Sequence, residues 1–154
     1  MRLAVGSWGK VFFSGAVLAC LLLVASSQID CSLPNLESPD CADAREAVRE
    51  FYSFHYANDI TMTPDNLKLR EKFLTTGLFR RLMGTHADKD YFTGSDTSPK
   101  AFKVAGCKPI DSDKAEIGVH LFWKPDEQTT IQKEANVEAI NDGGRWLVNN
   151  VAIQ

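Results

Sequence analysis

The spacing of hydrophobic positions changes once along this chain, near residue 101. Between residues 39 and 84, apolar residues recur every three or four positions, which is the period of an amphipathic helix. After residue 101, apolar and polar residues alternate, which is the period of a strand with one buried face. The chain is therefore predicted to fold as helices followed by a sheet.

Three segments begin with residues that favour a helix start. Ser38-Pro39-Asp40 combines an N-cap serine, a proline suited to the first helical position and an acid at the positive end of the helix dipole. This pattern predicts a helix over residues 39–57. A similar cap opens a second helix, predicted over residues 63–73, and a threonine cap opens a third, predicted over residues 75–84.

The alternating half of the chain predicts four antiparallel strands in a meander. Its turns, at residues 111–113, 125–127 and 141–144, are rich in Asp, Pro, Asn and Gly. A polar loop over residues 84–100 precedes the strands and leaves room for a short strand at Tyr91-Phe92. Helices packed on one face of an antiparallel four-stranded sheet make an α+β domain.

The first 27 residues have the three parts of a secretory signal peptide. Arg2 and Lys10 are the only charges of residues 1–27, and an apolar run of 14 residues follows them. That run is shorter than the ~20 residues of a transmembrane helix. Small residues then suit cleavage after Ser27. We therefore expect an exported protein, either periplasmic or extracellular.

Two alternatives for this segment remain open. One is an uncleaved membrane anchor. The other is a lipoprotein, since Val17-Leu18-Ala19-Cys20 loosely resembles the sequence in which a cysteine is lipidated. Lipid on Cys20 would attach the protein to a membrane. After cleavage at Ser27, residues 28–41 would form an irregular lead-in and helix start, and residues 42–154 a single domain.

The charge balance argues against a nucleic-acid partner. The chain has 17 Lys and Arg against 20 Asp and Glu, a formal net charge of −3. Loss of Arg2 and Lys10 with the signal peptide would leave 15 cations against 20 acids. Nucleic-acid binders usually carry a basic excess, so we expect no such partner.

Three cysteines follow the predicted cleavage site. Export favours disulfides, and an odd number leaves one thiol over or paired between chains. Cys31 and Cys41 flank a stretch that contains two prolines, so a local bridge between them is the preferred pairing. A bridge from either of them to Cys107 is the alternative.

The order of four segments resembles a known superfamily. The chain contains, in this order, two predicted helices, AVREFYSFHY and TTGLFRRLM, a predicted loop, DYFTGSD, and a last predicted strand, GGRWLVNNVAI. This order resembles the nuclear-transport-factor-2-like superfamily, in which a curved sheet wraps around helices to form a cone. It is most similar to the bacterial exported family known as domain of unknown function 3828. The resemblance covers roughly residues 42–154.

The resemblance implies an exported protein with a pocket inside the cone. It leaves open a homodimer that forms through the wetter sheet face, near His120 and Phe122. The resemblance implies no reaction, since the superfamily includes isomerases, cyclases, dehydratases, transport factors and immunity proteins. Metal and nucleotide motifs such as HExxH or GxxxxGK[ST] are also missing from the sequence. We therefore expect no cofactor and no metal.

The pocket of such a cone would lie between the first helix and the apolar sheet face. Asp59 follows His55 by four residues, so a continued helix would let its carboxylate orient the imidazole as a general base. The residues expected to line the pocket are Tyr52, His55, Tyr56, Trp123, Lys133 and Trp146.

These residues favour one function and leave two alternatives. The preferred function is non-enzymatic binding of a small apolar ligand or a partner segment in the pocket. The first alternative is a small enzyme of the isomerase, dehydratase or hydrolase kind that uses His55 and Asp59. The second is a membrane-tethered accessory or immunity-type protein.

Overall fold

Three helices precede four strands in the computed structural model, which describes residues 38–85 and 87–154. The predicted signal peptide, Cys20 and Cys31 lie outside the described residues. The helices are α1 (Pro39–Tyr56), α2 (Pro64–Arg70) and α3 (Thr76–Met83), with a 3-10 turn at Glu71–Phe73 after α2. The strands are β1 (Ala101–Asp111), β2 (Lys114–Trp123), β3 (Ile131–Asp142) and β4 (Arg145–Ile153).

Each helix begins at its predicted cap. The hydroxyls of Ser38, Thr63 and Thr75 each accept a hydrogen bond from the backbone N–H three residues later, at 3.2–3.3 Å. These bonds satisfy backbone donors that have no partner inside the helix. The predicted helix over residues 63–73 is only partly regular, because it tightens into the 3-10 turn before Leu74 becomes extended.

The four strands form one antiparallel sheet in the order β1-β2-β3-β4, which confirms the predicted meander. Inward residues of β2 are at most 8% exposed, whereas their neighbours along the strand are half-buried. Helix α1 contacts all four strands and covers the apolar face. The fold is therefore α+β, with helices packed on an open antiparallel sheet, and is consistent with a cone-like arrangement.

A disulfide joins Cys41 in the first turn of α1 to Cys107 in β1, with a Cα–Cα distance of 5.8 Å. The preferred pairing of Cys31 with Cys41 is therefore wrong, and the alternative bridge to Cys107 is correct. Strand β1 shifts its register against β2 after Val104, and Cys107 is the next paired residue. A disulfide is consistent with an exported protein.

The segment before β1 is a turn at Tyr91-Phe92, so no short strand forms there. Asp90 and Ser95 pair across the turn, and the N–H of Gly94 donates to the carbonyl of Asp90 at 2.8 Å. Gly94 has a φ of +62°, a conformation that glycine adopts without a steric penalty. The turn brings the ring of Phe92 into the core, where it is fully buried.

Candidate functional site

His55 lies near the end of α1 and is completely buried. Its ring stacks on Phe51 at a centroid distance of 5.6 Å and meets the edge of Phe92 at 5.1 Å. The side chain is thus enclosed by aromatic rings of the core. A buried imidazole requires hydrogen-bond partners for its nitrogens, and two charged residues supply them.

Arg70 and Asp90 occupy the two ring nitrogens of His55. The Nε of Arg70 donates to Nδ1 of the imidazole at 2.7 Å, and Nε2 lies 2.9 Å from Oδ2 of Asp90. Since an arginine N–H can only donate, Nδ1 must be the acceptor. The imidazole therefore carries its hydrogen on Nε2 and donates it to Asp90. The ring links a buried cation to a buried anion.

Arg70 holds the ends of two helices together from inside the core, where it is only 1% exposed. Its guanidinium donates to the backbone carbonyls of Asn66 and Asp59, each at 2.7 Å, and to that of His55 at 3.3 Å. Burial lowers the pKa of Arg70 from its usual value, while the negative charges of Asp90 and Asp59 oppose this effect. The guanidinium nevertheless remains charged at neutral pH.

Asp90 begins the turn that precedes β1 and is 3% exposed. Besides His55, its carboxylate accepts from the hydroxyl of Thr93 at 2.7 Å and from the backbone N–H of Phe92 at 3.2 Å. Three donors therefore satisfy this buried charge. We call Arg70, His55 and Asp90 the buried triad.

Asp59 does not orient the imidazole, so the predicted pairing of His55 with Asp59 is wrong. Helix α1 ends at Tyr56, and the carboxylate of Asp59 instead accepts from the N–H and hydroxyl of Thr61, at 2.9 and 2.6 Å. These bonds lower the pKa of Asp59. Its side chain is exposed, and only its backbone carbonyl contacts the buried triad through Arg70.

The space predicted to be a pocket near α1 is filled by aromatic side chains. Tyr52 is fully buried and donates its hydroxyl hydrogen to the carbonyl of Phe92 at 3.0 Å. Tyr56 packs against Phe102 at a centroid distance of 5.3 Å. Burial raises the pKa of both tyrosine hydroxyls well above the usual value. The tyrosines and His55 therefore belong to the packed core.

Trp123 and Lys133 line an open groove of about 390 Å³ at the end of the sheet where β2 ends and β3 begins. The Nζ of Lys133 lies 5.2 Å from the centroid of the Trp123 ring and donates to the carbonyl of Gly94 at 3.1 Å. Pro125 and Ile131 add apolar surface. We call this the β2–β3 groove.

Trp146 lies in a different groove, so the six residues predicted to line one pocket do not lie together. That groove, of about 780 Å³, runs between α1, the 3-10 turn and the β3–β4 turn. Its lining includes both acids and bases, among them Glu46, Arg49 and Lys72. Of the predicted pocket residues, Trp123 and Lys133 share the β2–β3 groove.

Sequence reasoning missed several residues of these sites. Arg70 follows Leu67 by three positions, so both side chains lie on the buried side of α2. This helical spacing was the sequence pattern that could have indicated a buried arginine. Asp90 stands at the start of a loop segment, but nothing in the sequence indicates its contact with His55. Lys100 and Lys124 also line the β2–β3 groove, and no local sequence pattern marks them as parts of a site.

Within residues 38–85 and 87–154, no cluster of three or more His, Cys, Asp or Glu side chains could hold a metal ion. None of the helices described in these ranges is long and apolar enough to cross a membrane.

Comparisons with known proteins give a structural similarity alone. No protein-family model matches the chain, and no curated protein matches it. A solved structure of a protein of unknown function from Bacteroides thetaiotaomicron VPI-5482 is similar, at 15% identity and a TM-score of 0.46. The similarity covers 73% of this chain and 88% of that one. It identifies no function.

Proposed function

We propose that this protein is an exported, non-enzymatic binding domain that holds a small, largely apolar ligand in the β2–β3 groove. The observation that carries the proposal is the exposure of Ile131 beside Trp123. Ile131 is 45% exposed, among the most exposed large hydrophobic side chains of the described residues. An apolar side chain at the rim of a concave site is typical of a ligand pocket.

The groove also has the dimensions of a ligand site. Its volume of about 390 Å³ falls within the range of roughly 300–1,000 Å³ that is common for small-molecule sites. The Nε1–H of Trp123 donates to the carbonyl of Thr97 at 2.9 Å. The polar edge of the indole is therefore satisfied, and the part of the ring that lines the groove, although the residue is only 8% exposed, offers apolar contact to a ligand.

The alternative of an enzyme that uses His55 has less support. A general base must reach the proton that it removes, but His55 is fully buried and both of its ring nitrogens are engaged. The buried triad is better explained as a structural connection between α1, α2 and the turn at Asp90.

Export and family membership are further parts of the proposal. The signal-like residues 1–27 and the Cys41–Cys107 disulfide both support a protein that leaves the cytoplasm. The helix order and the four-stranded meander support membership of the nuclear-transport-factor-2-like superfamily. In this protein the ligand would lie at the end of the sheet rather than inside the cone.

Binding of the neutral fluorescent probe N-phenyl-1-naphthylamine tests the proposed site. Ile131→Ser should weaken saturable binding of the probe about tenfold, because it removes apolar contact area at the rim. Ile110→Ser is the matched control, since Ile110 lies in β1, outside the groove, and is 50% exposed. Fluorescence titration of the full chain and both variants measures the affinities.

Both variants should lose a similar and small amount of stability, because the two isoleucines are each about half exposed. Equal affinities for Ile131→Ser and Ile110→Ser would place the probe elsewhere. The absence of saturable binding to the parent chain would overturn the proposed function.

A further inference from the structure

The charged side chains that line the β2–β3 groove all have one sign. Lys100, Lys124 and Lys133 line it, and none of its described lining residues is acidic. Asp96 is near them in sequence but lines a separate cleft beside Asp90, and Asp126 and Glu127 follow Pro125 in the β2–β3 turn without lining the groove. This local excess of cations contrasts with the chain as a whole, in which acids outnumber bases by 20 to 17.

Lys133 is placed at the boundary between the apolar and polar parts of the groove. The side chain is half-buried on β3, with its ammonium near the Trp123 ring. One of its three N–H donors is used by the carbonyl of Gly94. That bond fixes the ammonium beside the apolar surface, and the other donors are available to an anion.

Hydroxyl groups in the lining add further donors. Ser95, Thr97 and Ser98 line the groove together with the apolar Ile131 and Pro125. The hydroxyls of Ser95 and Thr97 lie 3.2 Å apart and share one hydrogen bond. A ligand in the groove would thus meet both apolar carbon and cationic or hydroxyl donors.

We propose that the groove binds a free anionic amphiphile, with an alkyl chain against Trp123 and Ile131 and a carboxylate against Lys133. This inference rests on the proposed function and adds the chemical class of the ligand. Lys100 and Lys124 are exposed at the rim, where they attract the anion with less strength because water screens their charges. A fatty acid of about ten carbons is within the size of ligand that such a pocket holds.

Competition against the bound naphthylamine probe tests this inference with two ligands of equal chain length, one with an anionic head group and one with a neutral head group. Decanoate should displace the probe at about tenfold lower concentration than 1-decanol, because the carboxylate gains a charge-assisted hydrogen bond. Lys133→Gln should abolish this preference and leave the affinity for 1-decanol unchanged. Lys103→Gln is the matched control, since Lys103 lies on the same sheet outside the groove.

The outcomes separate this inference from the proposed function. Equal displacement by decanoate and 1-decanol in the parent chain would overturn the anion preference and leave an apolar site in place. That comparison needs no variant, so it stands even if Lys133→Gln folds poorly. Failure of both ligands to displace the probe would overturn both proposals. Binding to anionic phospholipid vesicles, with no displacement by monomeric decanoate, would replace the free amphiphile by a lipid surface.

Discussion

Replacing Arg70 with Met should lower the free energy of unfolding by about 3–5 kcal/mol. The substitution removes the donor to Nδ1 of His55 and the nearby positive charge that interacts with the buried carboxylate of Asp90. It also removes the donors to the carbonyls of Asn66 and Asp59. Urea denaturation of the full chain, monitored by circular dichroism, measures the change.

Arg49→Met is the matched control for this experiment. Arg49 forms an exposed ion pair with Glu46 on the surface of α1, and such pairs contribute about 0–1 kcal/mol. A loss of less than about 1 kcal/mol for Arg70→Met would contradict the structural role that we assign to the buried triad.

Loss of the Cys41–Cys107 disulfide should cost about 4 kcal/mol of stability. The bridge joins residues 66 positions apart, so it restricts a long loop of the unfolded chain. The variant Cys41→Ala/Cys107→Ala should therefore unfold at a clearly lower urea concentration than the parent. Peptide mapping of the parent chain without reduction should detect this bond.

Cys31→Ser is the control for the disulfide. Cys31 takes no part in the Cys41–Cys107 bond, so its replacement should leave the unfolding midpoint unchanged. A large loss of stability for Cys31→Ser, with little loss for Cys107→Ser, would restore the local pairing that the sequence favoured.

The sequence predicted the elements of this fold because local interactions determine them. The hydroxyl caps at Ser38, Thr63 and Thr75 form within three residues of chain, and their effect can be read directly. The alternation of β2 likewise marks its buried face. The disulfide could not be predicted in the same way, because its pairing depends on how the first turn of α1 meets β1.

The candidate site was predicted only in part, for a related reason. Trp123 could be predicted because it is a large aromatic residue at the end of an apolar strand face. Lys133 could be predicted because it is a charged residue on the apolar face of its strand. Helical spacing predicted Asp59 as the hydrogen-bond partner of His55, but α1 ends before that residue. The true partner, Asp90, is 35 residues away in the sequence, and only the tertiary fold brings it to the imidazole.

The tryptophan indole N–H resonances provide the most direct test of the central claim, that ligand binds in the β2–β3 groove. A two-dimensional proton–nitrogen spectrum of the full chain should be recorded during titration with N-phenyl-1-naphthylamine. We expect the Trp123 resonance to shift with saturation while that of Trp146, in the other groove, stays in place. Movement of the Trp146 resonance with a constant Trp123 resonance would contradict the proposed site.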